Sequence, residues 1–304
     1  MDTQTRGVGK KREMRRRKLL RLAGTTAIAA AASTWVSGRG PVRAQSGSVT
    51  VRWLGHTCFL FVGGGLRILV NPFRQIGCTA GYAVPAVDAD LVLISSQLLD
   101  EGDVGQVPGN PQVLFEPGAY TFRGLELQGI GIAHDREGGR RFGTNVAWMW
   151  EQGGLKLLHL GGAAAPIEIE QKILIGRPDV VFLPVGNGIK AYTPSEAIAA
   201  LETLRPRLAV PTHYRTQAAD EANCDLLALD EFLELVDEVS IRRAGSNELT
   251  LSPASLPADG TVIQIMGNPP FVPIANPTPT EADLPEKSDS AGEQATRPQR
   301  LRLM

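Results

Sequence analysis

Four of the 304 residues are histidines, and each of them ends or follows a strand-like segment. They are His56 in VRWLGHTCFLF, His134 in GIGIAHD, His159 in LKLLHLGG and His213 in LAVPTHY. Imidazole nitrogens are the commonest metal ligands in proteins, and they also transfer protons near neutral pH. The histidines therefore predict a metal site or an acid/base site that is gathered from distant parts of the chain.

Strands and helices must position these side chains. Eight segments that are rich in β-branched and aromatic residues are typical of strands: VTVRWLG, CFLFVGG, LRILVNPF, ADLVLIS, QVLFEPG, LELQGIGI, NVAWMWEQ and LKLLHLG. Several of them are near-continuous apolar runs, which indicates sheets that are buried on both faces.

The second half of the chain alternates between helix and strand. TPSEAIAALETLRP is the clearest helix, because Thr193 can cap it, Pro194 suits its first turn and Glu196 completes a capping box. IEIEQKILIGRP and DLLALDEFLELVDEV are further helix candidates, and DVVFLPVG and LAVPTHY are strands. This part is predicted to be α/β, with helices outside a sheet.

The order of these segments carries a resemblance. WLGHTCFLF followed by ILVNPF resembles the opening of the lactonase-like branch of the metallo-β-lactamase superfamily, which includes ascorbate-6-phosphate lactonases and N-acylphosphatidylethanolamine phospholipase D. DADLVLIS, GIAHD, LLHLGG, DVVFLPVG, TPSEAIAAL and PTHY then follow in the family's order. The resemblance spans about residues 49 to 216. It implies the α+β class, a four-layer αββα sandwich and zinc-dependent hydrolysis at a two-metal centre.

The resemblance also assigns the metal ligands, and several of those positions hold unsuitable side chains. The ligand positions correspond in this chain to Ser96, Leu98, Asp100, Glu101, His134, Gly162 and His213. Leu98 has no lone pair, and Gly162 has no side chain where the family places the carboxylate that bridges the ions. Two cations about 3.5–4 Å apart need anionic ligands between and around them. The dinuclear centre is therefore predicted to be degenerate.

Two function classes follow from this degeneracy. The first is a non-catalytic or altered homologue of zinc-dependent hydrolases, a pseudoenzyme that binds a small-molecule or anionic ligand in the former active-site cleft. The second is a working hydrolase of an ester, lactone or phosphodiester. In it Asp100, Glu101 and His213 hold one divalent ion of zinc, manganese or iron, and Asp100 and His213 are the catalytic candidates.

Each candidate ligand also has a purely structural interpretation. Asp100 and Glu101 could form an acidic, solvated turn. His134 and His213 could be a hydrogen-bonded remnant, satisfied by a carboxylate such as Asp100 or Asp135 in a protein that holds no metal.

The remaining histidines and a group of arginines have weaker assignments. His56 and His159 are not metal ligands in the family pattern, so we expect both to be hydrogen-bonded core residues. Arg136, Arg140 and Arg141 flank His134 in HDREGGRRFG and could bind an anionic substrate or headgroup. The alternative for this segment is a solvated basic loop.

A serine mechanism is a third possibility. Ser95 or Ser96, together with His213 and Asp100, would supply the residue types of a nucleophilic triad. The sequence has no GxSxG motif of the kind that presents a nucleophilic serine on a sharp turn.

Residues 1–44 are predicted to be a twin-arginine-like export signal, with delivery to a periplasm or equivalent lumen. KKREMRRRK contains the pair Arg16-Arg17 and precedes an apolar, alanine-rich run, and Val42 and Ala44 suit a signal peptidase. The alternative is an uncleaved anchor, since the run from Leu19 to Val36 approaches the ~20 residues that span a bilayer. Membrane contact is expected only through this signal.

Removal of this segment would change the charge of the chain. It holds 11 of the 31 basic and 2 of the 32 acidic residues, so 20 basic and 30 acidic residues remain, a net charge of −10. Such a surface repels phosphate backbones, so we expect no nucleic-acid partner.

The rest of the chain divides into one domain and a tail. Residues 45–267 suit a single large domain, and the proline-rich segment 268–304 is predicted to be disordered, because it has little apolar surface to bury.

The chain has three cysteines, Cys58, Cys78 and Cys224, which allow one disulfide in an oxidising compartment. The sequence leaves open which two of them pair.

Overall fold

The computed structural model describes residues 47–237 and 240–274. The predicted export signal over residues 1–44 lies outside the described residues. So does the larger part of the tail predicted from residue 268. None of the helices in the described ranges has the length and apolar character needed to cross a bilayer.

Two β-sheets form the centre of the described part of the chain. Its strands are β1 (Val49–Gly55), β2 (Cys58–Gly63), β3 (Leu66–Val70), β4 (Leu91–Leu93), β5 (Gln112–Leu114), β6 (Gly118–Phe122), β7 (Leu125–Ala133), β8 (Thr144–Gln152), β9 (Leu155–His159), β10 (Val180–Pro184), β11 (Leu208–Thr212), β12 (Ile241–Arg243), β13 (Glu248–Leu251) and β14 (Val262–Ile265). One sheet has the order β13-β1-β2-β3-β4-β5, and the other has the order β12-β14-β11-β10-β9-β8-β7-β6. Both sheets are mixed, because hairpins such as β1–β2 and β7–β8 adjoin parallel pairs such as β3–β4 and β10–β11.

Aromatic side chains fill the space between the two sheets. The ring centroid of Phe61 on β2 lies 5.0 Å from that of Phe182 on β10 and 4.9 Å from that of Trp150 on β8. The indole of Trp148 on β8 donates to the carbonyl of Ile94, the residue that follows β4 of the other sheet. This packing explains the near-continuous apolar strands and confirms the predicted sandwich of two sheets.

Four short α-helices lie in the described residues: α1 (Leu99–Gly102), α2 (Ile169–Ile175), α3 (Pro194–Leu204) and α4 (Asp230–Leu233). The predicted cap of α3 is confirmed, since Thr193 Oγ1 accepts the backbone N–H of Glu196 and the Glu196 carboxylate accepts that of Thr193. The preceding segment IEIEQKILIGRP contains α2, as predicted.

The helix predicted over DLLALDEFLELVDEV is wrong in its extent, because only Asp230–Leu233 is helical among the described residues of this segment. The segment before it pairs with neighbouring backbone instead. The N–H of Leu227 donates to the carbonyl of Gly186, and the carbonyl of Leu227 accepts the N–H of Arg215. These tertiary hydrogen bonds hold the segment in an extended conformation, and they override the helical periodicity of its sequence.

A disulfide joins Cys78 to Cys224 across 146 residues, and Cys58 is a buried free thiol. The bond connects the 3₁₀ turn Gly77–Thr79 to the loop before α4. The structure thus gives the pairing that the sequence left open.

Candidate metal centre

Four polar side chains reach one buried cluster from four separate segments. His56 follows β1, His134 follows β7, His213 follows β11, and Glu101 lies on α1. The exposed fraction of each of these residues is at most 2%. His56 and His213 both have φ 54°, in the left-handed region that residues other than glycine seldom adopt. Strained backbone of this kind is concentrated at functional sites.

The Glu101 carboxylate is the centre of the cluster. Its Oε2 lies 3.2 Å from Nε2 of His134, and its Oε1 lies 3.4 Å from Nδ1 of His213. The ring centroids of His56 and His213 are 4.3 Å apart. His56, Glu101 and His213 each offer one ligand atom, and these three atoms lie within 4.8 Å of one another.

None of these contacts is a well-formed hydrogen bond. Seven polar atoms of the cluster are buried without a hydrogen-bond partner among the described residues. They are both oxygens of Glu101, both ring nitrogens of His56 and of His134, and Nδ1 of His213. Buried polar atoms are nearly always satisfied, and an unsatisfied buried carboxylate is costly. A single cation bound by these atoms would satisfy several of them at once.

The protonation of the imidazoles suits such a cation. Burial lowers the pKa of His56, and it lowers the pKa of His213 well below its ordinary value. Both rings are therefore neutral, and the neutral form is the one that binds a metal. Two neutral imidazoles and one carboxylate are a donor set that holds catalytic zinc. The residues present therefore fit one divalent ion.

The arrangement of these residues leaves no space for a side chain at position 162. A Cβ atom added at Gly162 would lie 2.5 Å from Nε2 of His134 and 2.7 Å from Oε1 of Glu101. The space for a bridging carboxylate is therefore taken by side chains that are present. Nearby, Leu98 is half-buried, and the Ser96 hydroxyl accepts the backbone N–H of Leu98.

Asp100 does not join the cluster. Its carboxylate forms a close ion pair with the ammonium group of Lys190, and the two side chains are 22% and 15% exposed. The predicted ligand set of Asp100, Glu101 and His213 is therefore not the set that the structure assembles. His56 is the third member instead.

The two histidines predicted to be core residues differ from each other. His159 packs as expected, because its Nδ1 accepts the N–H of Gly161 and its ring stacks on Phe182. Burial lowers the pKa of His159 to about 3. His56 is a correction, because neither of its ring nitrogens has a hydrogen-bond partner within the described ranges.

Asp135 does not satisfy the histidines. Its two oxygens accept four backbone N–H groups in the loop that follows His134, those of Glu137, Gly139, Arg141 and Phe142. Although burial raises the pKa of Asp135, these four bonds lower it to about 2. The carboxylate thus fixes the loop beside His134 and has no role as a partner of the imidazoles.

No serine triad is assembled among the described residues. The Ser95 hydroxyl is buried without a hydrogen-bond partner. The one hydrogen bond of the Ser96 hydroxyl joins it to Leu98. Activation of a serine needs a base within hydrogen-bonding reach, and neither serine has one.

A cavity of about 820 Å³ lies next to the cluster. It is lined by Gln75, Ile76, Gly77, Cys78, Ala80, Asp100, Ile189, Lys190, Asp220, Ala222, Asn223, Cys224, Asp225 and Ile274. Asp100 and Lys190 are therefore the residues through which the cavity approaches Glu101. The disulfide forms part of the wall.

The arginines that flank His134 lie elsewhere. Arg136 donates to the Glu196 carboxylate and to the carbonyl of Ala191. Arg140 donates to the carbonyl of Glu137, and the guanidinium of Arg141 lies over the ring of Phe142. None of the three arginines lines the cavity.

Comparison with known proteins gives consistent matches. A family model described as a beta-lactamase superfamily domain matches residues 50–213. A UPF0173 metal-dependent hydrolase of Thermus thermophilus is 31% identical over 193 residues, which cover 55% of this chain and 84% of that protein. One from Thermococcus onnurineus is also 31% identical, over 55% of this chain and 85% of that protein. The crystal structure of a metallo-β-lactamase superfamily protein from Thermotoga maritima is 31% identical, has a TM-score of 0.57, and covers 72% of this chain and 98% of that chain.

Proposed function

Because the chain belongs to the metallo-β-lactamase superfamily and to its UPF0173 metal-dependent hydrolases, we propose that it is a hydrolase that uses one divalent ion. Its substrate is an ester, a lactone or a phosphodiester. The observation that carries the proposal is the buried donor group of His56, Glu101 and His213.

The ion is zinc, manganese or iron, held by these three residues with His134 beside Glu101. When bound, such an ion polarises a carbonyl or phosphoryl oxygen and lowers the pKa of its water. The chain's own residues orient the donors. Asp135 holds the loop after His134 through its four backbone N–H bonds. Burial of the cluster excludes bulk water, which strengthens the electrostatic interactions within it.

A second candidate is supported by a separate observation. The four cluster residues are at most 2% exposed, and none of them lines the cavity. In this candidate the ion is structural, hydrolysis is lost, and the cavity binds a small molecule. It shares ligand binding without hydrolysis with the pseudoenzyme predicted from the sequence, and it differs from that prediction by the structural ion.

Metal analysis of residues 45–304, purified without a histidine tag, tests the ion. We expect about one divalent ion per chain. His56→Asn and Glu101→Gln should lose the ion, and asparagine tolerates the left-handed backbone of His56. His159→Asn is the matched control, because it removes an equally buried imidazole outside the donor group and should keep the ion.

Hydrolysis then separates the two candidates. Each variant is assayed against a p-nitrophenyl ester, a lactone and bis(p-nitrophenyl) phosphate, with circular dichroism as the check on folding. Metal-dependent hydrolysis that is lost in Glu101→Gln and kept in His159→Asn supports the hydrolase. A bound ion without hydrolysis supports the second candidate, and a metal-free wild-type protein contradicts both.

The proposal also includes export through the N-terminal signal. The Cys78–Cys224 disulfide supports it, since such bonds persist in oxidising compartments. A reporter fused to residues 1–46 should be translocated, and replacement of both Arg16 and Arg17 by lysine should keep it in the cytoplasm. Translocation that is unaffected by this change would contradict a twin-arginine route.

A further inference from the structure

We propose that the ammonium group of Lys190 takes the place of one of the two metal ions that the family resemblance implies. The site would then combine one exchangeable divalent ion with one cation that belongs to the chain. The inference rests on the proposed function for the divalent ion only. The role of Lys190 can be tested separately.

The position of Lys190 is the first argument. Its ammonium group pairs with Asp100, one of the positions that the resemblance assigns to metal ligands. The backbone of the loop that carries Lys190 also lies close to Gly162, because the carbonyl oxygen of Lys190 would lie 2.9 Å from a Cβ atom at that position. One loop thus supplies a cation to the aspartate and fills part of the space of the missing bridging group.

The charge of the site is the second argument. The Lys190 ammonium and the Asp100 carboxylate form an ion pair, so the chain itself supplies the counter-charge that a second metal ion would otherwise give to this aspartate. Asp225 lines the same cavity and adds a further carboxylate on the side of the ammonium group.

The ammonium group of Lys190 can donate hydrogen bonds to a molecule bound in the cavity. Lys190 lines the cavity, and its one hydrogen bond within residues 47–237 and 240–274 goes to Asp100. An ammonium group has three donors, so two remain for an oxygen of a bound molecule. The oxygen recognised is a carbonyl or phosphoryl oxygen that a metal ion would otherwise polarise. Lys190 is thereby a substrate-positioning residue of the site.

Cation rescue tests the proposal, with thermal unfolding as the measurement. Lys190→Met should lower the melting temperature, because it leaves the Asp100 carboxylate without its counter-charge. Millimolar Mn²⁺ or methylammonium should restore most of the loss in this variant and should shift the wild-type protein much less. Lys190→Arg keeps the charge, so we expect it to need no added cation.

The double variant Lys190→Met/Asp100→Asn is the matched control. It removes both charges, so it should be more stable than Lys190→Met alone and should gain no extra stability from the added cations. If Lys190→Met does not fold, folding of the double variant supports the proposal, and failure of both variants overturns it. Equal cation responses of wild-type protein, Lys190→Met and the double variant would also overturn it.

These outcomes are distinct from a failure of the proposed function. A wild-type protein without a bound divalent ion would contradict the single-metal hydrolase. A selective cation response of Lys190→Met would still assign the second cation to the lysine.

Discussion

Gly162→Ala is the smallest change that tests the packing of the cluster. The new methyl group would meet His134 Nε2 at 2.5 Å, Glu101 Oε1 at 2.7 Å and the Lys190 carbonyl oxygen at 2.9 Å. Contacts this short force the neighbours to move. Overpacking of a buried site by one methyl group costs about 1–3 kcal/mol. For a domain of this size that corresponds to a fall in melting temperature of about 2–12 °C.

The assay is thermal unfolding combined with metal analysis. Two of the three crowded atoms belong to His134 and Glu101, so Gly162→Ala should lower metal content as well as stability. Gly245→Ala is the control, because a Cβ atom there meets nothing within 4 Å. In a Glu101→Ala background the cost of Gly162→Ala should shrink, since one of the crowded partners is gone.

The reasoning fails if Gly162→Ala is no less stable than Gly245→Ala. It also fails if the costs of Gly162→Ala and Glu101→Ala are additive, because the two side chains would then not compete for the same space.

Three further predictions concern the ion, the disulfide and the helix cap. A chelator should lower the melting temperature of the wild-type protein and leave that of Glu101→Gln unchanged, because a bound ion stabilises only the folded state; calorimetry with and without chelator checks this. Cys78→Ser should cost about 2–5 kcal/mol and abolish the sensitivity of unfolding to reductant. Cys58→Ala, which leaves the disulfide intact, should keep that sensitivity, and equal behaviour of the two variants in denaturant titrations would contradict the pairing. Thr193→Ala should cost about 1 kcal/mol in the same titrations, because it removes the cap of α3, whereas Ser195→Ala should cost much less.

The fold was largely predictable from the sequence, because several of its strands, such as β4, β10 and β11, are buried along their whole length. The apolar runs that end at Val70, Leu93 and His159 all became strands in the expected order. The segment before α4 could not be predicted, because its backbone bonds join Leu227 to residues that lie far away in the sequence. A helical pattern says nothing about such partners.

The site was predictable in part. The order of segments identified His134, His213 and Glu101, which the structure brings together. It did not separate Asp100 from Glu101. Neighbouring residues in a helical turn point about 100° apart, so only one of the two could face the histidines. That direction depends on the placement of the whole turn.

His56 was missed as a member of the cluster, and the ion pair of Lys190 with Asp100 beside the cluster was missed as well. His56 carried the same signal as the other histidines, a position at the end of a strand, and the family pattern argued against it. Lys190 lies in a loop without periodicity, so no local pattern connects it to Asp100, which lies 90 residues earlier. Loop residues are placed by the scaffold that holds them, and their sequence gives little indication of their partners.

The Glu101 carboxylate lies beside the position that the resemblance gives to the bridging carboxylate. A Cβ atom at Gly162 would lie 2.7 Å from Oε1 of Glu101, so a side chain at position 162 and the present Glu101 carboxylate compete for the same space. The cluster therefore keeps a carboxylate among its histidines although position 162 has no side chain. The carboxylate oxygens lie 3.2 Å from Nε2 of His134 and 3.4 Å from Nδ1 of His213, and this arrangement supports the proposal of one divalent ion over that of a site without any ion.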